Sequence, residues 1–145
     1  HKVADDVQTA VSIPLIDIGD ATAEPIAAQE LKRPLLLATR YTMEQEFYVG
    51  RLREQHGIDV AVPDPSQRDL VHGIIFDELC VGQIVASSKQ AYLDVISDRQ
   101  AVDDIDGVIL GCTEIGLLIS QSDTALPVLD TTRIHADAAL DFALS

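Results

Sequence analysis

Cys112, Thr113 and Glu114 stand in a row directly after the run Val108-Ile109-Leu110-Gly111. A thiol, a hydroxyl and a carboxylate in successive positions can together hold, give and take a proton. The spacing also says where they sit, because an apolar strand here enters a small-residue turn and the residues from Ile115 onward read as the start of a helix. At a helix N-terminus the unpaired N–H groups and the macrodipole favour an anion. A cysteine placed there is expected to fall from a free pKa of roughly 8.5 into a range of about 3.5 to 7.5. The competing reading is a buried, inert cysteine.

Two other polar turns follow apolar runs in the same way. Thr39, Arg40, Tyr41 and Thr42 come after Leu35-Leu36-Leu37-Ala38, and Asp130-Thr131-Thr132 comes after Pro127-Val128-Leu129. In open parallel sheets ligands sit beyond the carboxyl ends of the strands, so all three turns are expected to line one edge of the sheet. Hydroxyls at a helix start can cap it or hold a carboxylate. Glu114 and Asp130 can equally be dipole-favoured acidic residues at helix starts. His135 is the one histidine close to these turns in sequence, while His56 and His72 carry no partner pattern.

The elements that must position these groups alternate between strand and helix. Residues 2 to 10 read as the end of a helix and 12 to 18 as a short strand with Pro14 near its start. A helix from 21 to 31 is expected to be capped by Asp20 or Thr22, with Pro25 in its first turn. After the strand at 35 to 38, Thr42 is expected to cap a helix that ends at Gly57. A strand at 58 to 62 stops at Pro63-Asp64-Pro65, where Asp64 or Ser66 can cap the next helix, and Gly82 breaks that helix. A further helix at about 87 to 100 leads through Asp103, Asp104 and Asp106 to the strand at 108 to 110, and the last helix starts at Thr131. The pattern predicts an α/β fold, a parallel sheet with helices on both faces.

The 145 residues are enough for one domain with a core, and a hydrophobic content of 47% with 23% charged residues is that of an ordinary globular chain. No apolar run reaches the roughly 18 residues of a membrane span, no membrane association is expected, and the start of the chain lacks signal-peptide features, so a cytoplasmic location is expected. A net charge of −14 argues against nucleic acid as a partner. It also repels a dicarboxylate at long range, so a site for one needs local donors. Cys80 and Cys112 form neither a disulfide framework nor a metal spacing, and Cys80, beside Leu79 and Val81, is expected in the core.

The run from Val108 to Leu118 resembles the second active-site signature of the aspartate/glutamate racemase superfamily: two aliphatics, any residue, Ala or Gly, Cys-Thr, an acidic residue or His, then an apolar residue. Glu114 after Cys-Thr looks like the aspartate racemase branch. The run from Leu35 to Glu44 is similar to the strand and Thr-x-x-Thr turn that these enzymes place beside substrate. The resemblance implies a flavodoxin-like fold, one of two pseudo-symmetric domains. It also implies a cofactor-independent racemisation of aspartate or glutamate by two acid/base groups on opposite faces of the α-carbon. Cys112 would be one of them, with no metal or pyridoxal phosphate. Thr39, Arg40, Tyr41, Thr42, Thr113, Glu114, His1 and His135 would bind substrate, and the full-length enzyme would be a homo-oligomer, a dimer. A basic residue often stands near position 83 in the family. Gln83 occupies it here, which leaves Lys89 or Arg40 to meet a distal carboxylate.

His1-Lys2 resembles the tail of the family's other signature, which runs Cys, Asn, Ser or Thr, a small residue or Met, then His. The resemblance therefore implies a truncated chain whose first acid/base group lies outside these residues. Residues 1–18 would be a remnant of the other domain, 19–129 the domain carrying Cys112, and 130–145 a helix that packs back on the other domain. Such a fragment is expected to be inactive alone and to self-associate through uncovered apolar surface. A hydantoin racemase, maleate isomerase, arylmalonate decarboxylase or a non-catalytic flavodoxin-like ligand-binding domain are the alternatives.

Overall fold

Two four-residue strands buried at every position, with a shorter third beside them, form the centre of the molecule. A computed structural model describes residues 1–145. Strand β1 is Pro34–Leu37, β2 is Gly107–Leu110 and β3 is Val128–Asp130. They pair parallel in the order β1-β2-β3, with Leu35 opposite Val108 and Leu110 opposite Asp130. Continuous apolar runs such as Leu35-Leu36-Leu37 suit strands covered on both faces.

Helices α1 (Ala4–Ala10), α2 (Ile18–Ala28), α3 (Arg40–Glu44), α4 (Glu46–His56), α5 (Pro65–Asp77), α6 (Ala86–Asp103) and α7 (Thr131–Leu144) surround the sheet. Helix α2 packs on α4 and α7, and α5 packs on α3 and α6. The α/β class and the parallel sheet expected from the sequence are therefore present. The core is continuous: Ile26, Leu52, Val71, Ile75 and Tyr92 close over Leu36, Ile109 and Leu110. Tyr92 satisfies its buried hydroxyl by donating to the Val71 carbonyl at 3.1 Å.

Four local expectations need correction. Residues 12 to 18 form no strand, because the Gln8 side chain takes the place of a neighbouring strand: its Nε2 donates to the Ile13 carbonyl at 3.1 Å and its Oε1 accepts from Leu15 N–H at 2.7 Å. Helix α2 begins at Ile18 with Asp17 as its cap, its Oδ1 accepting from Gly19 N–H at 2.7 Å, so neither Asp20 nor Thr22 caps it and Pro25 falls inside the helix. Residues 58 to 62 shrink to one parallel bridge of Ala61 on Leu35, flanking the free edge of β1. The helix expected to start at Thr42 starts earlier and is split at Gln45, whose extended backbone separates α3 from α4.

Asp64 and Gln67 form a complete capping box on α5, and Gly57 ends α4 at φ 68° in the left-handed region that favours glycine. Tyr48, buried against Thr22, donates its hydroxyl to Thr22 Oγ1 at 3.3 Å, and burial pushes its pKa up to about 12.

Candidate active site

Gly111 has no room for a side chain. A Cβ there would stand 2.7 Å from Leu36 Cδ1 and 3.0 Å from the Ala38 Cβ, and its N–H donates to the Leu37 carbonyl at 2.8 Å. The chain therefore leaves β2 pressed against the end of β1, and Cys112 is the first residue beyond that close approach. The turn that follows is a short 3-10 turn, Ile115–Leu117, rather than an α-helix. It supplies no aligned helix of peptide dipoles to favour a thiolate.

The Cys112 thiol accordingly points to a partner of the opposite kind. Its Sγ donates to Glu114 Oε2 at 3.0 Å, and the Thr113 hydroxyl donates to the same oxygen at 2.6 Å. Burial first, and then the bond to Glu114, push the Cys112 thiol up to about 12, while the thiol and the Thr113 hydroxyl hold the Glu114 carboxyl below its usual range. The lowered pKa expected from a helix start is thus reversed. In this arrangement Cys112 is a protonated thiol and Glu114 the anion beside it.

A cleft of about 310 Å³ opens at the carboxyl edge of the sheet, lined among others by His1, Lys2, Tyr41, Thr42, Gly111 and Thr131. Part of each expected turn reaches it, while Thr39, Cys112, Thr113 and Glu114 do not line it. Thr42 and Tyr41 come from the turn after β1, Gly111 from the one after β2, and Thr131 from the one after β3. Thr39 and Thr42 hydroxyls lie 3.2 Å apart, and the Tyr41 ring leans on Phe47 with centroids 5.5 Å apart. Thr131 donates to the Leu110 carbonyl at 2.8 Å, which fixes the start of α7 on β2, and Asp130 Oδ1 caps α7 by accepting from the N–H groups of Thr132 and Arg133.

Other predicted residues are placed elsewhere. Arg40 turns to Asp69 on α5 at 2.6 Å and does not line the cleft. The His135 ring nitrogen Nε2 lies 2.7 Å from the Ile16 carbonyl, so it donates there and ties α7 to the segment before α2. Lys89 is engaged by Asp123 at 2.6 Å. Cys80 is exposed rather than in the core, because the chain around it forms a surface 3-10 turn, Leu79–Val81, in which Leu79 alone is buried. His1 and Lys2 are the basic side chains that line the cleft. Tyr48, Phe47 and Ile18 also line it, and no sequence signal marked them as site residues. A larger depression of about 390 Å³ flanks β3 between α2 and α7, and of the three strand-following turns only Asp130 reaches it.

The site is thus a thiol–carboxylate pair and a hydroxyl-bearing cleft on a parallel α/β sheet. Residues 1–139 match the Asp/Glu/Hydantoin racemase family model, and the chain belongs to that family. A Yersinia pestis protein assigned to the Asp/Glu racemases has the same fold with a TM-score of 0.95 at 52% identity, over 100% of this chain and 63% of that one. The aspartate racemase homologue PH1733 of Pyrococcus horikoshii aligns with a TM-score of 0.91 at 37% identity, over 99% of this chain and 62% of that one. A glutamate racemase of Actinobacillus pleuropneumoniae is 28% identical over 80% of this chain and 42% of its own length. The chain thus spans about two fifths to two thirds of these relatives. No helix is long and apolar enough to cross a membrane.

Proposed function

We propose that these residues form one half of a cofactor-independent racemase of aspartate or glutamate, with Cys112 as one of two proton-transfer groups. The observation that carries the reading is the 3.0 Å bond from the Cys112 thiol to Glu114, one residue after the Gly111 that lines the cleft.

In one direction the Cys112 thiol gives its proton to the carbanion developing at the substrate α-carbon, leaving a thiolate. In the other, the thiol proton passes to Glu114 Oε2, and the resulting thiolate takes the α-proton. Transfer to or from the opposite face falls to a group outside these residues. In support, the chain covers 63% of the Yersinia relative, and the His1-Lys2 step resembles the tail of the family's other signature. Thr42 and the basic side chains His1 and Lys2 offer donors to the substrate carboxylates in a chain of net charge −14. Thr39 supports Thr42 through their shared hydroxyl contact, and Tyr41 walls the cleft.

The proposed division into residues 1–18, 19–129 and 130–145 draws support from apolar side chains left exposed at both ends: Val3, Ile13 and Leu15 at one, and Leu140, Phe142 and Leu144 at the other. A second domain covering these faces would complete the cleft.

The test is deuterium exchange at the α-carbon of aspartate and of glutamate in D2O, followed by proton NMR, with the whole enzyme and its Cys112→Ala variant. Loss of a positioned acid/base group is expected to slow exchange by roughly 10²- to 10⁴-fold. Exchange at the unaltered rate in Cys112→Ala would overturn the assignment.

A further inference from the structure

Asp17 carries a carboxylate oxygen that nothing satisfies. The residue is 4% exposed and sits at the cap of α2. Its Oδ1 accepts from Gly19 N–H at 2.7 Å and faces Arg51 Nε at 3.4 Å, whereas Oδ2 is buried with no hydrogen-bond partner. A buried ionised carboxylate is costly unless its lone pairs are met. The one cation packed beside it is already divided. Arg51 holds Asp20 through two bonds of 2.8 and 2.6 Å and reaches Asp5 at 3.4 Å, and His56 also sits on Asp20 at 2.8 Å.

Facing Oδ2 is the imidazole of His1, whose Nδ1 lies 3.9 Å away. His1 is half exposed and lines the cleft, next to Lys2 and Tyr48. A movement of about 1 Å by the ring brings this contact to hydrogen-bond length, a tightening common when a site takes up its ligand.

We propose that Asp17 is a positioning residue for His1: its free oxygen accepts from Nδ1–H, which fixes the direction of the imidazole and, in the neutral ring, its tautomer, so that the ring on taking up a proton presents Nε2–H to a substrate carboxylate in the cleft. A carboxylate behind a histidine determines which ring nitrogen carries the proton. Gly19 completes the arrangement. A side chain there would stand 3.0 Å from Asp17 Oδ1 and 3.4 Å from Arg51 Cδ, so the cap stays close and Oδ2 is turned away from the helix. The ligand role of His1 rests on the proposed racemase reading, whereas the pairing with Asp17 does not.

Asp17→Asn separates the two. The amide oxygen can keep the Gly19 cap while its NH2 takes the place of Oδ2, and a donor facing His1 Nδ1 favours the opposite tautomer. Nitrogen-15 NMR of the His1 ring in the full chain, above the pH at which it is charged and assigned with His1→Gln, reads this directly. The expected result is an Nδ1-protonated ring in the unaltered protein and an Nε2-protonated ring in Asp17→Asn. Identical tautomer populations in the two proteins overturn the proposal. In the whole enzyme, Asp17→Asn is expected to lower kcat/KM about tenfold or more, and to add nothing once His1→Gln is present. An equal loss in both backgrounds would mean a purely structural role and likewise overturn it. A tautomer switch in a protein that exchanges neither aspartate nor glutamate protons would uphold the Asp17–His1 pairing and sink the racemase reading instead.

Discussion

Cys112 and Glu114 share one proton between a thiol and a carboxylate 3.0 Å apart, and the same Glu114 oxygen also takes the Thr113 hydroxyl. Each partner shifts the other toward the state in which sulfur holds the proton, the thiol upward to about 12 and the carboxyl below its usual range.

Replacing that carboxylate therefore separates reactivity from turnover. Glu114→Gln removes a neighbouring negative charge, so the Cys112 thiol ionises more readily and its alkylation by iodoacetamide at pH 8 should become faster. Racemisation by the whole enzyme should become slower, because no base remains to accept the thiol proton. In the unaltered chain the exposed Cys80 should be alkylated well before Cys112, by peptide mass mapping. Preferential labelling of Cys112 would contradict the arrangement.

Gly111→Ala tests the close approach that delivers the cysteine. The added methyl meets Leu36 Cδ1 at 2.7 Å and the Ala38 Cβ at 3.0 Å, so β1 and β2 must part locally. Overpacking of this kind costs about 1–3 kcal/mol, read as a lower urea midpoint with an unchanged slope.

Acid stability should depend on Asp20. The hydrogen bond from Arg51, with that from His56, outweighs the opposing effect of burial and holds the Asp20 carboxyl below its ordinary value of 3.8 in the folded protein. A carboxyl depressed on folding stabilises the fold above its unfolded pKa, and that contribution disappears as pH falls through the lower folded value. Asp20→Asn should therefore unfold at lower urea than the unaltered chain at pH 7, with the gap closing toward pH 2. A gap that widens on acidification would show the sign to be wrong.

The exposed apolar side chains at the two ends predict association of the isolated chain. Leu140, Phe142 and Leu144 are each more than half exposed on α7. Sedimentation at rising concentration should show self-association that Phe142→Ser with Leu144→Ser reduces. Concentration-independent monomers of the unaltered chain would remove this reading.

Much of the site could be read from residue types because it depends on local chain direction. Val108-Ile109-Leu110-Gly111 announced both the strand and the turn, and the three strand-following turns indeed meet at one edge. What sequence could not supply was orientation over distance. Arg40 looked as available as Thr42, yet Asp69, far along the chain, draws it off. Residues 12 to 18 have the apolar content of a strand, and the side chain of Gln8 satisfies them instead. The apolar residues after Cys112 suit a helix start, and their 3-10 geometry reverses the expected effect on the thiol. Asp17 had a usable signal, an acidic residue two before a glycine at a helix start, but its orphaned oxygen emerges only once α4 brings Arg51 alongside.

The bond from Thr131 to the Leu110 carbonyl links the first residue of α7 to the peptide unit just ahead of Gly111 and Cys112. Helix α7 is thereby geared to the cysteine turn: any surface that seated against Phe142 at the far end of the helix would apply its leverage within two residues of the Cys112 sulfur. Sequence drift along the outer face of α7 is then filtered by how it tilts the helix as well as by what it touches, and grafting this domain onto another partner would require that tilt to be matched before the thiol could be expected to work.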